Sequence, residues 1–120
     1  MEMPSGEASR DVIARAISDA LECLRTCEET LSYCLHQGGR HVEAEHMKLI
    51  IDCAEICSTT AAFMQRRSRY MAETSRVCAE VCQACAVDCA QFQGDQQMMR
   101  CVDACRRCAD SCTEMAGAVV

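Results

Sequence analysis

Two stretches of this 120-residue chain repeat one arrangement of sulfur. Cys78, Cys82, Cys85 and Cys89, and then Cys101, Cys105, Cys108 and Cys112, both follow the pattern C-x-x-x-C-x-x-C-x-x-x-C. Steps of four, three and four residues return to the same side of an α-helix, so each copy lays its thiols along a single stripe. Two further pairs, Cys23/Cys27 and Cys53/Cys57, have the C-x-x-x-C spacing, and Cys34 lies one heptad beyond Cys27. Thiolates are soft ligands that select Cu(I), Zn(II) or iron–sulfur clusters over hard cations. The chemistry on offer is therefore the binding of a soft metal.

The competing uses of cysteine fit the pattern less well. Free Cys can serve as a small buried hydrophobe, but filling half a core with thiols gives up the packing of Leu and Ile at every layer. An intrahelical i,i+4 pair holds its Cβ atoms about 5–6 Å apart, where a disulfide wants about 3.5–4.5 Å. Bridges between helices stay sterically possible, although 13 cysteines would leave one thiol over. Zinc requires closed sets of four ligands, and Cys82, Cys85, Cys105 and Cys108 could supply one. That leaves nine of the 13 thiols unexplained. Compact C-x-x-C-x-x-C loops for iron–sulfur and C-x-x-C-H for haem are absent. Cu(I) is content with two or three thiolates, and a shared stripe lets each sulfur bridge neighbouring ions. One Cu(I) per thiolate also leaves the filled core neutral, which a low-dielectric interior favours. Iron–sulfur with a redox role and structural zinc remain the alternatives.

Four helices are needed to position these sulfurs. The periodicity predicts helices over about 9–37, 40–65, 69–92 and 96–117, with Ser9 and Ser68 as candidate N-caps and Gly38-Gly39 and Gly94-Asp95 as breaks. Short connections favour an all-α, up-down-up-down antiparallel four-helix bundle, taken as a single domain over 1–120. That topology gathers Cys34, His46, Cys89, Met98 and Cys101 at the end holding both glycine breaks. Toward the middle come Cys27, Cys53, Cys82, Cys85, Cys105 and Cys108, with Cys23, Cys57, Cys78 and Cys112 deeper. Ile13, Ile17, Met64, Met71, Met115 and Val119 form an apolar plug at the other end. The Cys78-to-Cys89 stripe is a column roughly 16 Å long.

His46, seven residues before Cys53, falls on the inner stripe and is the candidate mouth ligand, joined there by Met98, seven before Cys105. His36 reads as pointing outward, His41 lies close to the turn with its direction undecided and a solvated position favoured, and Met47 and Met99 read as lateral. The Asp and Glu residues read as spread along outer faces, and no catalytic constellation is visible, so the chain is not expected to be an enzyme. A net charge of −6 and only 3% aromatic residues exclude the electrostatic footprint and stacking surface of a nucleic-acid binder. No apolar run is long enough to span a bilayer, and no secretion signal precedes the first helix. The expected location is cytoplasmic.

The two C-x-x-x-C pairs, the two longer cysteine runs and the loop-end His and Met make the stretch from about Ile13 to Met115 resemble the four-helix-bundle copper storage proteins. The resemblance implies a homotetramer of bundles, each holding many Cu(I) ions on inward cysteines, with metal from copper donors passing in, and out to acceptors, through one open end. That family has exported and cytosolic branches. Without a leader this chain is similar to the cytosolic branch, whose members carry more cysteines.

Overall fold

Hydrophobic periodicity and small side chains produce four long helices. The computed structural model describes the backbone of residues 6–118 and the side chains of residues 10–118. Helix α1 spans Gly6–Gln37, α2 Ala44–Gln65, α3 Met71–Cys89 and α4 Gln96–Ala118, with a 3-10 turn at Gly39–Val42 between α1 and α2. Helix α1 packs on α2 and α4, and α3 packs on α2 and α4. Successive helices joined by short turns and packed in this order form an antiparallel, up-down-up-down bundle. The bundle measures 54 × 22 × 17 Å along its principal axes. No helix among the described residues is long and apolar enough to cross a membrane.

The helix ends depart from the sequence expectation where turn chemistry intervenes. Helix α1 begins at Gly6, so Ser9 lies inside it instead of capping it. Gly38 and Gly39 both have positive φ, 69° and 58°, and Glu43 is extended, so α2 starts only at Ala44 and not at Arg40. Helix α2 ends in a Schellman turn: the Ser68 N–H reaches Phe63 O at 2.9 Å and the Arg67 N–H reaches Met64 O at 3.1 Å. Arg67 occupies the left-handed position that Gly usually takes there, with φ 55°. The Ser68 hydroxyl accepts the Tyr70 N–H at 3.0 Å, but the helix proper begins later, at Met71. Helix α3 stops at Cys89, which leaves Phe92 in the connection to α4. Asp95 caps α4, its Oδ1 accepting the Met98 N–H at 3.2 Å.

Buried alanines let the helices approach closely enough for short thiol side chains to meet. Ala16 and Ala20 on α1, Ala54 and Ala61 on α2, Ala79 and Ala86 on α3, and Ala104 and Ala109 on α4 are all buried beside the stripes. The far end of the bundle is closed by Ile13, Met64, Met71 and Met115, with Ile17 partly buried against them. Val119 lies outside the described residues.

Candidate metal centre

Every cysteine is on the inside. All 13 are free thiols with no exposed surface. On α3 and α4 the stripes are the two repeated motifs, and α1 and α2 carry the same spacing in altered form. Cys23, Cys27, Thr30 and Cys34 follow steps of four, three and four, as do His46, Ile50, Cys53 and Cys57. Thr30 and Ile50 are fully buried, so they stand on the inner stripes where the spacing asks for sulfur. The signal was present in the sequence once the motif of α3 is laid over α1 and α2.

The sulfurs touch in a continuous series. Cys108 lies 3.9 Å from Cys112, 3.9 Å from Cys78 and 3.8 Å from Cys57. Cys57 is 3.7 Å from Cys82, which is 3.7 Å from Cys53. Cys53 in turn meets Cys23 and Cys105, both at 3.8 Å. Cys27, Cys85, Cys101 and Cys105 form the next set, all within 4.8 Å of one another, and Cys101 leads to Cys89 at 3.9 Å. At a metal–sulfur bond of about 2.3 Å, tetrahedral and trigonal thiolate sets have sulfur–sulfur edges of about 3.8 and 4.0 Å. The array is already spaced for metal.

Four tetrads of cysteine are close enough to hold one ion each: Cys23/Cys53/Cys57/Cys82, Cys23/Cys27/Cys53/Cys105, Cys27/Cys85/Cys101/Cys105 and Cys57/Cys78/Cys82/Cys108. The zinc set expected from sequence, Cys82, Cys85, Cys105 and Cys108, is not among them. Cys82 and Cys85 are one helical turn apart, about 4.5 Å along the axis, and each joins a different layer built from several helices. Because the four tetrads share members, at most two can be filled as separate closed sites, which leaves five of the 13 thiols outside. Bridging thiolates use the whole array.

Electrostatics argue in the same direction. The buried polar groups among the described residues are Thr26, Thr30, His46, Thr60, Ser75 and Ser111, with no Lys or Arg. Nothing inside can offset a negatively charged thiolate cluster, so proton or metal must neutralise it. Burial, aided by the neighbouring Cys101, Asp95 and Asp88, pushes the Cys34 thiol up to about 11. Cys89 and Cys112, at opposite ends of the array, are likewise held above the ordinary thiol value. For Cys89 the cause is first its contact with Cys101, for Cys112 first that with Cys108, and then burial.

The end that holds the glycine breaks has a different chemistry. Cys34 Sγ lies 3.6 Å from His46 Nε2 and 3.8 Å from Met98 Sδ. His46 and Met98, like Cys34, are buried. The other ring nitrogen of His46, Nδ1, hydrogen-bonds Asp88. His46, Asp88 and Cys89 are close enough to share an ion. Sequence reading put the carboxylates on outer faces, and some are not: Asp88 turns toward His46, Asp19 accepts from the buried Ser111 hydroxyl, and Asp95 accepts from Tyr33 Oη and binds His41 Nε2, both at 2.9 Å. Burial raises the Asp95 carboxyl, but hydrogen bonds from His41, Tyr33 and the Met98 N–H outweigh it and hold the group low. His41 is half-buried and not a surface residue, whereas exposed His36 bonds only Ser32 O of its own helix, at 2.8 Å. Met47 and Met99 are partly buried at the margin of the core.

That end is also covered. The Phe92 ring lies between the rings of His41, 4.3 Å away, and His46, 4.9 Å away, with the Arg40 guanidinium 5.1 Å from its centre. The expectation of an open mouth is corrected here: stopping α3 at Cys89 frees Phe92 to fold back across the bundle end.

Comparison with known proteins agrees with this architecture. The family model "Csp: Copper storage protein" matches residues 9–117. No curated protein matches the chain. Among solved structures, a protein from Nitrosospira multiformis is 42% identical, covering 90% of this chain and 97% of its own, with a TM-score of 0.85. The Cu(I)-bound copper storage protein of Bacillus subtilis is 30% identical over 88% of this chain and 98% of its own, with a TM-score of 0.82. A cytosolic copper storage protein from Streptomyces lividans, studied during copper loading with five coppers, is 30% identical over 93% of this chain and 98% of its own, with a TM-score of 0.84. A match over nearly the full chain, joined to a bundle whose four inner stripes meet in one array of thiols, places this chain in the copper storage protein family.

Proposed function

We propose that the chain stores or sequesters Cu(I) in the cytoplasm, as a multinuclear cluster on its inward thiolates, and has no catalytic role. The observation that carries this reading is the uninterrupted contact of fully buried thiols in an interior without a buried Lys or Arg among the described residues. Each Cu(I) that replaces a thiol proton keeps the core neutral, so loading can continue along the array without accumulating charge. Zn(II) tetrathiolates would each carry net negative charge, and iron–sulfur chemistry would use only part of the array.

The ligands proposed are Cys23, Cys27, Cys34, Cys53, Cys57, Cys78, Cys82, Cys85, Cys89, Cys101, Cys105, Cys108 and Cys112 for storage, with His46 and Met98 as neutral ligands at the covered end. A neutral imidazole and a thioether hold Cu(I) without adding charge, which suits transfer from donors and to acceptors. The cytoplasmic location is supported by the similar Streptomyces lividans protein, described as cytosolic. Exposed Ile51, Val77 and Val87 on α2 and α3 offer apolar surface for a homo-oligomer, in keeping with the tetramer expected from the resemblance.

Anaerobic titration of the reduced protein with Cu(I), in competition with a colorimetric Cu(I) chelator, tests this reading. Chelator colour should stay low until many equivalents have bound, and the loaded protein should lack visible absorption. Chelator colour from the first equivalents, or a brown protein as purified, would reject it.

A further inference from the structure

The covered end raises the question of how copper reaches Cys34, His46 and Met98, none of which has more than 3% of its surface exposed. The apolar plug of Ile13, Met64, Met71 and Met115 opposes a charged ion at the other end. At the covered end the aromatic side chain packed on the ligand set is Phe92. Phe92 is 7% exposed, and its ring centre lies 4.9 Å from that of His46. It belongs to the connection between α3 and α4, and its ring is clasped by the connection between α1 and α2. His41 packs against it with the rings tilted by 34°, and the Arg40 guanidinium sits above it. The two connections are tied beside the ring by Arg40 Nη2 donating to Gln91 Oε1 at 2.7 Å and by His41 Nε2 at 2.9 Å from Asp95 Oδ2, which Tyr33 Oη also reaches.

We infer that Phe92 is a gate on the copper path: its ring must leave the clasp between His41 and His46 before Cu(I) can pass to or from the Cys34, His46 and Met98 set. This rests on the storage reading above. An aromatic ring over the first neutral ligands excludes water and slows exchange, yet donates no atom to the stored cluster. Its removal changes rate and leaves capacity alone. The clasp residues act through the ring, so loosening His41 has a smaller effect of the same sign. Local opening of a short connection, with the four helices unmoved, is sufficient.

The test uses full-length, copper-loaded protein mixed anaerobically with excess chelator, followed by stopped-flow absorbance. Phe92→Ala should release copper several-fold faster than the unaltered chain, with His41→Ala between them, and all three should reach the same final copper count. Loading from a Cu(I)–chelator complex should accelerate in the same order. Circular dichroism checks that each variant is folded, and His41→Ala, at a half-buried position, keeps the gate testable if Phe92→Ala is not. Release at the unaltered rate in the folded variants would overturn the gate, as would loss of several coppers per chain without a change in rate. Failure of the unaltered chain itself to take up copper would instead reject the storage reading.

Discussion

His46 and Asp88 are joined through the imidazole Nδ1, which turns Nε2 toward the Cys34 thiol at 3.6 Å. Nδ1 donating to the carboxylate leaves Nε2 as the ring nitrogen placed to offer a lone pair to a metal. This is the arrangement by which a carboxylate orients a metal-binding histidine from behind. Asp88→Asn should therefore lower the affinity of the first exchangeable Cu(I) by about 10–100-fold, while the total copper count stays the same. His46→Phe combined with Met98→Leu should slow loading and removal, again at almost constant count. Chelator competition at low copper loading, set beside full titration, separates the two quantities. A double variant that loads normally but loses several coppers would make these residues storage ligands.

Thr30 and Ile50 hold rungs of the ladder that carry no sulfur. Replacing both with Cys should raise the saturating count by about two Cu(I) per chain, if each added thiolate neutralises one added ion. In the metal-free form shortening Ile50 leaves a cavity worth about 1–3 kcal/mol, and replacing Thr30 removes its hydroxyl's bonds to Thr26 O at 2.7 Å and from Gln97 Nε2 at 3.1 Å. Titration of the Thr30→Cys/Ile50→Cys chain checks the gain. An unchanged count would mean that these positions face away from the cluster.

Much of this site could be read from residue spacing alone, and the parts that could not have a common cause. Steps of four, three and four say which side of a helix a residue occupies, and so they placed all 13 thiols, His46 and Met98 inside. They do not say which helix supplies the next neighbour. Cys82 and Cys85 share a stripe yet join different layers, because each layer draws on several helices at one height. Asp88 sits on the flank of α3 and gains its role only from the register of α2 against it. Phe92 and His41 lie in connections, where periodicity carries no information and packing between loops decides. The fold itself depends on the stripes and the glycine breaks, and these are local features.

The metal-free fold should weaken in alkali. Cys34 is raised from its ordinary 9.0 to about 11, so above pH 9 the unfolded chain gives up a proton that the folded one keeps. Stability linked to this thiol is fully present below pH 9 and is lost as the pH rises through 11, at up to about 1.4 kcal/mol per pH unit for each such group. Other buried thiols with raised values, including Cys89 and Cys112, act in the same sense. The Tm of reduced, metal-free protein should fall between pH 8 and pH 10.5. A constant or rising Tm would contradict the burial of neutral thiols.

Near neutral pH the same form should stay helical. The apolar plug and the buried alanines hold the helices together without metal, unlike a zinc finger. Far-ultraviolet circular dichroism of reduced, chelator-treated protein should show a largely α-helical chain. A disordered spectrum would mean that metal drives folding.

The central claim is that the thiols act as one array that Cu(I) fills by displacing protons. Native mass spectrometry of the anaerobically loaded protein measures this most directly, because the mass gained reports copper and the difference from whole Cu(I) masses reports protons lost. The account predicts saturation near the 13 cysteines of the chain, with about one proton released for each Cu(I) bound. Saturation at one to three ions, or copper binding without matching loss of protons, would contradict it.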